Sequence, residues 1–132
     1  MPLVIFDVIE GRNDTEIKEL LDATHRSVRS AFSIPDRDRY QIINEHKDSH
    51  MVIDDTGLNL RRSRNMVVVR VFTSPRSEVQ KQCFYSVLCH ELKEHCGIEG
   101  EDIMVSIFTN DKGDWSFGNG AAQYVTGELF AK

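Results

Sequence analysis

The chain alternates twice between short runs of β-branched and aromatic residues and longer segments whose apolar positions recur every three or four residues. Pro2-Leu3-Val4-Ile5-Phe6-Asp7-Val8-Ile9 predicts a strand leading into the turn Glu10-Gly11-Arg12. From Asn13 or Asp14, both good helix caps, Ile17, Leu20, Leu21, Thr24, Val28 and Phe32 share one helical face, and Pro35 stops the helix. After the loop 34–39, Tyr40-Gln41-Ile42-Ile43 predicts a second strand and completes a β-α-β unit.

The same order then returns. Met66-Val67-Val68-Val69-Arg70-Val71-Phe72 has the composition of a buried strand, and Ser74-Pro75-Arg76-Ser77-Glu78 reads as a helix start. Val79, Cys83, Val87, Leu88, Leu92 and Cys96 are expected to line the apolar face of that helix, which Gly97 ends. Asp102 to Phe108 predicts the fourth strand. A shift of 62 residues brings Val4-Ile5-Phe6 onto Met66-Val67-Val68 and Thr15-Glu16-Ile17 onto Ser77-Glu78-Val79. The expected architecture is one α/β (α+β) domain over 1–132, made of tandem β-α-β repeats at about 2–46 and 65–109. It has a four-stranded sheet with two helices on one face, a further short strand near Met51-Val52-Ile53, and a Gly-rich tail over 113–132. The uncovered sheet face predicts a small oligomer.

With 132 residues the chain fits a single domain, and 40% hydrophobic against 28% charged residues excludes a disordered or membrane-embedded class. No apolar run reaches bilayer length and the start lacks a basic signal region, so the expectation is a cytoplasmic protein without a membrane partner. A net charge of −5 argues against nucleic acid as a partner, and three cysteines do not make a disulfide framework.

Several residues carry candidate chemistry. Removal of Met1 before a small residue would leave Pro2 as a secondary amine, whose proton affinity burial lowers and carboxylates raise. Pro2 alone does not separate an active amine from an incidental proline at a strand start. Arg76, at the opening turn of the second helix, suits an anion such as a carboxylate, and Arg12 stands near the matching place in the first repeat. Asp38 could orient a water or hold a proline ammonium. Arg61-Arg62-Ser63-Arg64 could steer an acidic substrate, and Arg70, on a strand face with Met66, Val68 and Phe72, needs a partner such as an ion pair between subunits. No metal site is expected: His90 and His95 are five residues apart, which points their rings ~140° apart on a helix. Cys83 and Cys96 read as core, and Asn13-Asp14-Thr15 as a helix cap.

Pro2, Glu10-Gly11-Arg12-Asn13-Asp14 and the duplicated unit together resemble the tautomerase superfamily. Asp22-Ala23-Thr24-His25, Asp38-Arg39-Tyr40, Asp55-Thr56-Gly57-Leu58, Pro75-Arg76-Ser77-Glu78 and Asp114-Trp115-Ser116-Phe117-Gly118 narrow the resemblance to its malonate semialdehyde decarboxylase branch. The resemblance implies a homotrimer without cofactor or metal, acting on a small carboxylate-bearing substrate. It implies catalytic roles for Pro2, Asp38 and Arg76, and substrate contacts from Trp115, Phe117, Arg76, Ser74, Thr73 and Arg70. Ser74 departs from the branch, which has arginine there. The implied reaction is decarboxylation of a 3-oxo acid. Keto-enol tautomerisation or hydration of an unsaturated acid is the alternative, and a non-enzymatic trimeric scaffold stands behind both.

Overall fold

The computed structural model describes residues 1–130; the last two positions of the expected tail lie outside the described residues. Strands β1 (Leu3–Ile9), β2 (Tyr40–His46), β3 (Val67–Thr73) and β4 (Ile103–Thr109) form one sheet in the order β2-β1-β3-β4. β1 and β2 run parallel, as do β3 and β4, and the central β1/β3 pair is antiparallel with Leu3 opposite Phe72. Helices α1 (Asp14–Phe32) and α2 (Glu78–Cys96) pack side by side on one face. Each begins in a capping box, Asn13 with Glu16 and Ser77 with Gln80, which satisfies backbone N–H groups that the first turn leaves unpaired. Each ends in a left-handed residue, Ser33 and Gly97.

Alternation puts Val4, Phe6 and Val8 of β1 and Val67, Val69 and Val71 of β3 under the helices, all buried. Leu20, Ala23 and Val28 close over them from α1, and Phe84, Leu88 and Leu92 from α2. The expected stripe on α2 is thereby corrected: Cys83 is exposed, Cys96 only half-buried and Val79 78% exposed. The bulkier Phe84, one position on from Cys83, takes the inward place instead, and positions i, i+4 and i+8 from it make a narrow contact stripe. The expected short strand near Met51 is also absent. A 3₁₀ turn (Asp48–His50) precedes irregular chain, held by side chains rather than by a strand ladder. Arg64 pairs with Asp48 at 2.7 Å and Arg62 donates to the Asp54 and Glu101 carbonyls. Arg62 and Arg64 thus staple a loop.

The other sheet face is open. Ile42, Met104 and Phe108 stand 49%, 43% and 43% exposed on it, with Phe72 stacked on Phe108. Arg70 lies here too and finds its partner within the chain: Nε and Nη2 donate to Asp7 Oδ2 at 3.2 and 2.9 Å. His46 Nε2 lies 2.8 Å from the other Asp7 oxygen. An ion pair between subunits is therefore not needed to explain Arg70.

Candidate functional site

Because β1 and β3 are antiparallel, β1 begins where β3 ends. The chain start is thereby brought to Thr73, Ser74 and Arg76, and the parallel neighbour β2 delivers the loop before Tyr40 to the same end. In that loop Asp38 N–H donates to the Pro35 carbonyl at 3.1 Å, closing a turn. His25 clamps the turn, with Nε2 2.9 Å from the Asp36 carbonyl and 3.3 Å from its carboxylate.

The terminal ammonium, carried here by Met1 ahead of the buried Pro2, stands 3.7 Å from Asp38 Oδ2. Asp38 is 8% exposed, and its Oδ1 is buried without a hydrogen-bond partner among the described residues. Burial lowers the amine's hold on its proton, against the attraction of Asp38 and with help from the positive charge of Arg76. Burial also pushes the Asp38 carboxyl up, although the ammonium and Arg76 pull it back. The two proton affinities move toward one another, so a proton passes between amine and acid at less cost than in water.

Arg76 is half-buried. Its Nε donates to Thr73 Oγ1 at 3.1 Å, its Nη1 to the Phe32 carbonyl at 3.3 Å, and its guanidinium lies 4.8 Å from the Phe32 ring centroid. Desolvation weakens its hold on a proton, while Tyr124 and then Asp38 strengthen it. A cavity of about 490 Å³ opens beside the amine, lined by Met1, Pro35, Asp36, Arg37, Asp38, Tyr40, Phe117 and Leu129. Trp115, Phe117 and Tyr40 stack in a column, with centroids 5.6 and 5.8 Å apart, and Trp115 Nε1 donates to Asn110 Oδ1 at 2.8 Å.

The structure therefore brings Pro2, Asp38, Arg76, Thr73, Ser74, Trp115 and Phe117 to one end of the sheet. Of the implied substrate contacts only Phe117 lines the cavity; Thr73 and Ser74 are buried, and Arg70 is tied to Asp7 on the open sheet face. The sequence reading missed Tyr40, Arg37 and Leu129. Tyr40 was legible as the first residue of a strand on the same side as the turn, whereas Leu129 comes from the tail, which has no period to read. Among the described residues no group of three or more His, Cys, Asp or Glu could hold a metal, and no helix is long and apolar enough to cross a membrane.

This fold, with a chain start held against an acid, is that of a tautomerase type of domain, and the chain belongs to the tautomerase family. Two family profiles described as tautomerase enzyme match it, one over residues 38–118 and one over residues 2–61. The probable tautomerase YrdN of Bacillus subtilis (strain 168) is 50% identical over 129 residues, covering 98% of this chain and all of that one. The probable tautomerase YusQ of the same organism is 26% identical over 126 residues, covering 95% of this chain and 99% of that one. Among solved structures, a malonate semialdehyde decarboxylase described with decarboxylase and hydratase activities is 46% identical. It superposes with a TM-score of 0.95 over 96% of this chain and 98% of that one. A malonate semialdehyde decarboxylase inhibited by 3-bromopropiolate is 36% identical, with a TM-score of 0.93 over 98% and 99% of the two chains. A fused 4-OT described as a symmetric trimer shares the fold at 20% identity, with a TM-score of 0.75 over 93% and 98%.

Proposed function

We propose that this protein is a cofactor-independent decarboxylase of a short 3-oxo acid such as malonate semialdehyde, working from Pro2 once Met1 is removed. The observation that carries the reading is the Met1 ammonium, one residue ahead of the Pro2 nitrogen, 3.7 Å from Asp38 Oδ2, beside an aromatic-walled cavity and within the field of Arg76. The likeness to two malonate semialdehyde decarboxylases supports it.

The chemistry follows from the groups. Breaking the bond between carboxylate and methylene releases CO₂ and leaves its electron pair on the remaining fragment as an enolate, with charge on the carbonyl oxygen. A cationic Pro2 donates a hydrogen bond to that oxygen, and Arg76 adds positive potential. One such donor is worth ~3–4 kcal/mol of barrier. Phe117, Tyr40 and Leu129 give the cavity an apolar wall, which strengthens the attraction between the charged amine and the oxygen where the enolate charge develops. One proton delivered to the methylene carbon completes acetaldehyde, and solvent restores that proton to the site. Asp38 keeps the amine charged.

A second reading has its own support. Burial draws the amine toward its neutral form, which suits a base that moves a proton between carbons, the keto-enol reaction. With the amine cationic and Asp38 acting on a water, hydration of a 2,3-unsaturated acid becomes available. The apolar open sheet face supports assembly as a homotrimer, whose solution mass by light scattering is expected to be three times the 15.1 kDa chain.

The test is to confirm loss of Met1 by intact mass. The protein is then incubated separately with malonate semialdehyde, phenylenolpyruvate and 2-oxo-3-pentynoate. Acetaldehyde and CO₂ are expected from the first. Turnover of only the second or third would replace decarboxylation with tautomerase or hydratase chemistry.

A further inference from the structure

We infer that Arg37 makes a direct contact with the substrate carboxylate, at the rim of the cavity. This rests on reading the cavity as a site for a short oxo acid. Arg37 lines it, and among the described residues its guanidinium forms no hydrogen bond or ion pair, so its five donors are unspent. Arg76 does not line the cavity, and its Nε and one Nη1 donor are turned to Thr73 Oγ1 and the Phe32 carbonyl.

The neighbouring acids do not compete for Arg37. Asp36 Oδ1 is taken by Arg29 at 3.4 Å and His25 at 3.3 Å, and Asp38 faces the amine. Both acids flank Arg37 in the same turn, which fixes the base of its side chain without engaging its end. The placement gives the cavity two positive groups, the amine beside Asp38 and the guanidinium of Arg37. A ligand with a carbonyl at one end and a carboxylate at the other is matched by that pair. A guanidinium fork recognises carboxylate geometry with two parallel hydrogen bonds, which the buried Ser74 hydroxyl cannot offer.

The experiment compares the parent with Arg37→Gln, Arg37→Lys and the remote control Arg64→Gln, measuring turnover of malonate semialdehyde and calorimetric binding of the unreactive dicarboxylate malonate. Arg37 is exposed, so its substitution leaves the core intact. Arg37→Gln is expected to raise KM and the malonate Kd together by about 10- to 100-fold, with kcat within about threefold. Arg37→Lys recovers part of the loss, and Arg64→Gln matches the parent. Parent-like KM and malonate affinity in Arg37→Gln overturns the inference. A parent that binds malonate through Arg37 but releases no CO₂ upholds the anchor and removes the decarboxylase reading. A parent that neither binds malonate nor turns over removes both.

Discussion

The two ends of the sheet follow one plan and are finished differently. Leu3 matches Val67, Asn13 matches Ser77 and Asp14 matches Glu78, an offset of 64 residues that the antiparallel β1/β3 pair turns into an approximate two-fold. Under it Arg12 is the counterpart of Arg76, Met66 of Pro2, and the turn Glu99–Asp102 of the turn Pro35–Asp38, each closed by the same N–H to carbonyl bond. At the far end the chain runs on through Asn65, so there is no amine. Arg12 Nη2 instead donates to the Asn65 carbonyl at 2.8 Å, and Asp102 accepts from both Ser63 N–H and Ser63 Oγ at 2.6 Å. The cavity beside Arg12 is about 130 Å³, against about 490 Å³ beside Asp38. The same scaffold is spent on hydrogen bonds at one end and left with an unsatisfied acid and a chain terminus at the other. That contrast separates a structural corner from a reactive one.

The largest expected effect breaks the contrast at its source. Pro2→Ala exchanges a secondary for a primary amine, and turnover of malonate semialdehyde is expected to fall ~10²–10³-fold, the scale of one acid or oxyanion donor. Met66→Ala, at the matching place, is expected to leave turnover unchanged. Equal rates for Pro2→Ala and the parent would show that the terminus is as inert as its counterpart.

The arginines come next. Arg76→Ala is expected to cut kcat by ~10–10²-fold through the lost positive potential at the enolate. Arg12→Ala is expected to keep kcat and lose about 1 kcal/mol in urea denaturation, since its bond to Asn65 is exposed. A kcat deficit in Arg12→Ala, or none in Arg76→Ala, would mean that the duplication does not divide these roles.

Much of this plan was legible because strands and helices announce themselves by period. The order β-α-β, β-α-β follows from Val4, Phe6 and Val8 alternating inward and from caps at Asn13 and Ser77. The offset of 62 was wrong by two because a run such as Met66 to Phe72 is apolar at nearly every position, so it slides against Val4-Ile5-Phe6 without penalty. The caps, which are not degenerate, give 64 and make Arg12 and Arg76 equivalent. α2 misled because Cys83 and Phe84 are adjacent and both apolar, and volume rather than spacing decides which one faces the sheet. Pro2 and Asp38 were legible as candidates from their chemistry, but their pairing gained weight only through resemblance, since an amine and an acid brought together by a parallel β1/β2 pair are 36 residues apart in sequence.

The smallest effects are also the sharpest, because the two equivalent acids are expected to respond with opposite sign. Asp102→Asn removes an acceptor oxygen from a buried carboxylate that binds Ser63 twice, and is expected to cost about 1–3 kcal/mol in urea denaturation at pH 7. Asp38→Asn is expected to stabilise the protein, by on the order of 1 kcal/mol, while slowing turnover. The sign comes from linkage: burial raises the folded-state pKa of Asp38 above its unfolded value, so ionisation is harder in the folded protein. Its favourable contribution is full at pH below the unfolded value and is lost as pH rises through the folded one, and at pH 7 only the cost of the buried charge remains. The gain from Asp38→Asn is therefore expected at pH 7 and to disappear in acid, where the parent's carboxyl is already neutral. The same charge holds the amine's pKa up, so removing it is expected to move the alkaline limb of the rate profile to lower pH. An Asp38→Asn protein less stable than the parent at pH 7, with an unmoved alkaline limb, would make Asp38 a structural acid like Asp102 and erase the difference between the two ends.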